Sequence, residues 1–133
     1  MINQDVKILR TLAREYAVAA QDSRNAQNRQ LHRAVNDLKM IRPVVLINEI
    51  PFYELNFDGS LTLHCQDSVF RQAEEFFRKR LFQWKYFPAD MILPPYYPVE
   101  KIMHSTGIGV TVDETILAAD RNNSIVSHEY HDQ

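Results

Sequence analysis

The stretch Ile41 to Tyr53, IRPVVLINEIPFY, constrains the fold more than any other part of this chain. A basic residue and a proline lead into an apolar run centred on Val44 to Ile47, which stops at the polar pair Asn48 and Glu49. A continuous, β-branched-rich run of this length predicts a strand buried on both faces, as in a parallel sheet covered by helices. Pro43 pushes Arg42 away from helical geometry and so releases the strand. In open α/β sheets and (β/α)8 barrels the chemistry sits beyond the carboxyl ends of such strands. Asn48 and Glu49 are expected there.

The flanking sequence supplies helices. Val6, Leu9, Leu12, Ala13, Tyr16 and Ala20 recur at helical spacing and predict an amphipathic helix over residues 3–20. Polar residues follow from Gln21 to Asn28, with Asp22, Ser23 and Asn25 as stop or cap candidates. A second helix is expected from about Arg24 to Lys39, burying Leu31, Ala34, Val35 and Leu38. Beyond the strand, PFYELN reads as irregular or helical, and Phe57-Asp58-Gly59-Ser60 as a turn. Leu61, Leu63 and Cys65 alternate with Thr62 and His64, which predicts a short strand or extended arm. Asp67 or Ser68 can cap a helix running to about Tyr86. Its inner face would be Val69, Phe70, Ala73, Phe76, Phe77, Leu81 and Trp84, and its outer face Arg71, Glu74, Glu75, Arg78 and Lys79. Further strands are expected over Asp90 to Tyr97, Gly107 to Val112 and Ile125 to His128, with a turn at Asn122-Asn123.

The predicted fold is therefore α/β or α+β. A helical pair over 1–40 precedes the early strands and helix of a (β/α)8-type barrel over 41–133, incomplete in this chain, and the whole forms one compact unit. At 133 residues the chain has enough length for one real core. A net charge of -2 gives no electrostatic case for nucleic acid or an anionic membrane. Cys65 is alone, so there is neither an intrachain disulfide nor a cysteine-rich zinc site, which suits a reducing cytoplasm. The start, MINQDVKILRTLAREY, lacks the apolar core of a secretory signal. No apolar run approaches the roughly 20 residues that span a bilayer. With only Gly59, Gly107 and Gly109, glycine-rich nucleotide loops are absent.

The run RPVVLINEIPFY, the helix through QWKYF with the following PADMILPPY, and STGIGVTVDET together resemble the uroporphyrinogen decarboxylase superfamily. The likeness is closer to its uncharacterised members related to corrinoid-dependent methyltransferases. It implies a helical pair before a first barrel strand and a parent of several hundred residues, of which this chain is a fragment or a divergent stand-alone relative. Decarboxylases carry R-x-P-V-W-x-M-R-Q-A-G-R-Y at the equivalent place. Their substrate-gripping arginines are replaced here by Asn48 and, further on, Tyr53 or its neighbours. The aspartate ending their second strand is replaced by Pro95-Tyr96. The resemblance thus implies a methyltransferase-like parent without porphyrinogen decarboxylation. A zinc or corrinoid would belong to that longer parent, with a corrinoid protein as its partner.

Glu49 is the catalytic candidate, as general base, ligand or substrate anchor at a strand exit. The structural alternative is an exposed acid or an ion pair with Arg42 or Lys101. Asn48, Tyr96, Tyr97 and His104 are expected to line the same site as substrate-binding residues, although tyrosines after prolines also pack on sheet rims and loop histidines bond to backbone. His128, His131 and Asp132 have the look of metal ligands, the two histidines at an i, i+3 spacing that suits a helix face or turn, but zinc sites take a full three- or four-ligand set and the cluster is at the terminus, so no metal site is assigned. His64 and Cys65 are strand neighbours facing opposite ways, and Cys65 reads as a small buried hydrophobe. The aromatic stripe of Phe70, Phe76, Phe77, Phe82, Trp84 and Phe87 reads as core, part of it exposed where a barrel would cover it. Two functions follow. One is the N-terminal part of a decarboxylase-superfamily, methyltransferase-like protein, giving one wall of an active site and not catalytic alone. The other is a small non-enzymatic binding or dimerisation module. Open strand edges predict a homo-oligomer in either case.

Overall fold

The computed structural model describes residues 2–104, 110–119 and 124–132. The chain divides into two units, Met1–Tyr97 and Pro98–Gln133. The first holds three helices and, among its described residues, no strand.

Helix α1, Ile2–Ala20, buries Leu12, Tyr16 and Ala20 on the stripe that its periodicity predicts. The chain turns at once into α2, Ser23–Asn36, where Asp22 caps the first turn by accepting the Arg24 N–H at 2.9 Å. At the far end Lys39 N–H reaches Ala34 O and Leu38 N–H reaches Val35 O, with Leu38 in the left-handed region at φ 56°. That bond pair closes the helix in the manner usually given to glycine. Helix α3, Ser68–Tyr86, starts at Asp67, whose carboxylate accepts the Val69 and Phe70 N–H groups. It packs on α1, so that Leu12, Tyr16 and Ala20 meet Phe77 and Trp84, with Met91 and Leu93 closing the cluster. Each of the larger side chains buried there contributes roughly 1.5–3 kcal/mol. A second aromatic group lies further along α3: Phe52 and Phe57 set their rings edge-on to Phe82, and Phe57 does the same to Tyr86. The expected turn forms with Gly59 at φ 73°, and Asp58 accepts the Ser60 N–H.

The predicted α/β barrel start is overturned. Residues 41–50, 61–67 and 90–97 are irregular. Most of their cross-segment backbone bonds go to side chains of the helices and of one another, and none belongs to a strand ladder among the described residues. Asn25 accepts the Leu93 N–H at 2.7 Å, Asn28 donates to Met91 O at 2.8 Å, and His32 Nε2 lies 2.9 Å from Asp90 O. Gln83 donates to Ile47 O, and the Asp90 carboxylate accepts the Val45 N–H. Glu74 accepts the His64 and Cys65 N–H groups, and Asp5 those of Gln66 and Asp67. A polar side chain that satisfies a backbone group removes the need for a ladder. Hydrophobic pattern cannot detect this, because the decisive residues lie on other elements. The apolar run itself is not buried: Val45 is 55 % exposed, Leu46 49 % and Ile47 37 %. The boundary expected at residue 40 falls inside the first unit.

The second unit contains β1, Val110–Ala119, paired antiparallel with β2, Ser124–Asp132, from Val110 opposite Asp132 to Ala119 opposite Ser124. The register shifts between Ile116 and Ala118, a one-residue bulge. The strands expected around Gly107 to Val112 and Ile125 to His128 fall in or beside this hairpin, which is antiparallel and so not a parallel barrel unit. Gly107, Gly109 and the Asn122-Asn123 turn lie outside the described residues. Among the described residues no helix is long and apolar enough to cross a membrane.

Candidate functional site

Two anchors fix the strap of residues 41–50. Arg42 grips Asp90 with both terminal nitrogens, each at 2.6 Å, and Asp90 also accepts the Val45 N–H at 2.8 Å. The Asp90 N–H in turn donates to Val45 O at 3.0 Å. The Arg42 guanidinium, and after it the Val45 N–H, hold the Asp90 carboxyl well below its ordinary value. Further along, Gln83 on α3 donates to Ile47 O at 2.8 Å. Arg42 is thus committed to Asp90 and is not the partner of Glu49.

Between the strap, α2 and α3 lies a cleft of about 530 Å3. Phe76, Lys79, Arg80 and Gln83 supply one face of α3, at positions i, i+3, i+4 and i+7. Leu46, Ile47 and Asn48 form the opposite lip, His32 comes from α2, and Met91 and Ile92 from the segment after α3. The lining includes no carboxylate. Lys79 pairs with Glu75 at 2.6 Å, whereas Arg80 makes no ion pair among the described residues. Its guanidinium stands 5.8 Å from the Phe76 ring centroid. A second hollow of about 420 Å3 lies beyond Phe52 and Lys79, and Tyr53 lines it. Asn48 and Tyr53, the positions compared with the decarboxylase arginines, therefore line different hollows.

The expected site residues are only partly brought together. Asn48 lines the cleft. Glu49, next in sequence, is exposed and has no hydrogen-bond or ion-pair partner among the described residues. Tyr97 sets its ring against Phe76 at 5.1 Å and Phe77 at 5.6 Å, behind the cleft wall. Tyr96 is exposed. His104 is exposed and belongs to the second unit. His128, His131 and Asp132 lie in β2, an extended strand and not the helix or turn that their spacing suits. No group of three histidine, cysteine, aspartate or glutamate side chains capable of holding a metal occurs among the described residues.

Sequence reasoning missed two buried carboxylates. Glu74, placed on the outer face of α3, is 0 % exposed. Burial pushes its carboxyl up, but the Cys65 N–H, the Arg78 guanidinium and the His64 N–H outweigh burial and leave it below its ordinary value. Asp5 on α1 is buried with it against the same arm. Cys65 sits between the two, and burial, helped by Glu74, pushes its thiol up to about 11. It is the inert buried hydrophobe expected. Arg80, Gln83 and His32 were also missed as cleft residues, although the spacing of Phe76, Lys79, Arg80 and Gln83 on one helical face is visible in the sequence. Comparison with known proteins finds no matching family model, no matching curated protein and no matching solved structure.

Proposed function

We propose that this chain is the N-terminal part of a uroporphyrinogen-decarboxylase-like, methyltransferase-like cytoplasmic protein, giving one wall of its substrate site and not catalytic alone. The observation that carries the reading is the strap. Its backbone is pinned by Asp90 and Gln83, yet about half of Val45 and Leu46 and over a third of Ile47 stay exposed. A segment fixed in position with its apolar side chains exposed suits a surface that further protein covers. The likeness of RPVVLINEIPFY to the superfamily is one of sequence, and it supports the same view. Asn48 and Glu49 then stand at the edge of the covered region, and zinc or corrinoid chemistry rests with the longer protein and its corrinoid-protein partner. Hydrogen exchange tests this. In a longer product of the same reading frame, the amides of Leu46 to Glu49 should exchange at least about a hundredfold more slowly than in this chain, as expected of a newly buried segment. Equal exchange in the two would overturn the reading.

A second reading is favoured by the hairpin. A lone two-stranded ribbon is marginally stable, and its outer edges are unpaired among the described residues. Pairing with a second copy would make the chain a non-enzymatic dimerisation module.

A further inference from the structure

We infer that the cleft between the strap and α3 binds a small organic carboxylate with an apolar body, gripped at its anionic end by Arg80. The inference deepens the proposed wall of the substrate site by naming a ligand class, and rests on that reading only for the cleft's wider role. All of the lining belongs to the first unit, so binding is expected of this chain by itself.

Charge selects the ligand's head. The cleft is lined by Lys79 and Arg80 and by no acid, in a chain whose net charge is -2. Lys79 is neutralised by Glu75, leaving Arg80 as the cation without an ion pair among the described residues. One uncompensated guanidinium matches one carboxylate, and its planar fork accepts that group in a two-bond geometry. A phosphate dianion would call for more charge than the lining offers. Asn48 stands on the opposite lip with a carboxamide that makes no hydrogen bond among the described residues. Gln83 donates one of its two amide hydrogens to Ile47 O, which leaves a second N–H and an acceptor oxygen on the same carboxamide.

Shape selects the body. Leu46, Ile47, Phe52, Phe76, Met91 and Ile92 make the remaining lining apolar. The volume of about 530 Å3 falls in the range of small-molecule sites. An aryl or branched alkyl group fits that surface, with its ring against Phe76.

The test is calorimetric titration of the 133-residue protein with phenylbutyrate, and with phenylbutyramide as its neutral isostere. Phenylbutyrate should bind with a Kd at or below roughly 1 mM, reasonable for a ligand of that size. The amide should bind at least about tenfold more weakly, since a charge-assisted bond is lost. Arg80→Gln should remove the preference for acid over amide, and Asn48→Ala should weaken the acid severalfold. Arg14→Gln, an exposed arginine on α1 away from the cleft, should change nothing. Arg80 is exposed, so its replacement leaves the fold intact, which a circular dichroism melt checks. Absence of binding up to about 10 mM, a range that covers fragment-strength affinity, overturns the inference. So does equal affinity for acid and amide, or full binding by Arg80→Gln. Acid-selective binding without protection of Leu46 to Glu49 in the longer protein would retain the cleft and discard the wall.

Discussion

The Tyr16 hydroxyl is buried in the helical core without a hydrogen-bond partner. Burial pushes its pKa up, with Arg80 pulling the other way and Tyr96 adding to the rise. An unpaired buried hydroxyl costs about 1–3 kcal/mol, so deleting it should help. Tyr16→Phe keeps the ring contacts with Phe76 and Phe77, and the expected outcome in urea denaturation is a gain of up to about 1 kcal/mol. A loss of that size would show that the hydroxyl has a partner in solution. Glu49 gives the opposite case: an exposed carboxylate that nothing holds. Glu49→Gln should leave the stability of this chain within about 0.5 kcal/mol, as for surface changes away from any network. If Glu49 serves the longer protein, the same change should impair its ligand binding or turnover. A loss of several kcal/mol with unaltered activity in the longer protein would make Glu49 structural.

At the level of elements, Glu74 and Asp5 join α1, α3 and the arm of residues 61–67. Glu74 accepts two backbone N–H groups and the Arg78 guanidinium at 2.8 Å, with no exposure of its own. Glu74→Gln would leave Arg78 mostly buried and without its counter-charge, and should destabilise the protein by about 3 kcal/mol or more. A change under about 1 kcal/mol would mean that Arg78 finds solvent easily. The pH profile follows from the same groups. Folded-state pKa values of Glu74, Asp90 and Asp58 lie below their ordinary values, Asp58 at about 2, so each stabilises the fold above its unfolded pKa and loses that contribution as pH falls through the folded one. Stability should therefore decline from the ordinary carboxyl values of 4.5 and 3.8 downward toward about 2. Cys65 acts in the other direction. Its raised pKa favours the fold below the ordinary value of 9.0, and the benefit is lost as pH rises to about 11. Equilibrium unfolding against pH should show both shoulders, and Cys65→Ser should reduce the alkaline one, to which the raised Tyr16 hydroxyl also contributes. The three helices were legible in the sequence because period and caps are local signals. The buried Glu74 was not, since nothing on α3 announces that an arm ending at Asp67 will lie across its charged face. The strap failed for a related reason. Its apolar run signals a strand, but Asp90 and Gln83, distant in sequence, take up its backbone groups. Of the candidate site, Asn48 could be placed from sequence, and Arg80 could have been found by treating residues 76 to 83 as one helical face.

At the scale of the molecule, each unit carries surface that invites a partner. The strap exposes Val45 and part of Leu46 and Ile47, and the outer edges of the ribbon are unpaired among the described residues. Apolar patches of this kind and open edges both drive association. The 133-residue chain should therefore be a dimer or larger by light scattering at about 100 μM, where even a modest interface is populated. The two surfaces separate by substitution. Val45 meets the fold through its backbone N–H and carbonyl, its side chain is 55 % exposed, and Leu46 at the cleft lip is 49 % exposed, so Val45→Lys with Leu46→Lys keeps the Asp90 anchor. Burying two lysines in an apolar contact is prohibitive, so a strap-driven assembly should fall to monomer. Association that survives the double change assigns the contact to the ribbon, where strand pairing does not depend on the strap. A clean monomer of the unaltered chain at that concentration would remove both surfaces as self-association sites, and would leave the strap to be covered by other protein or by none.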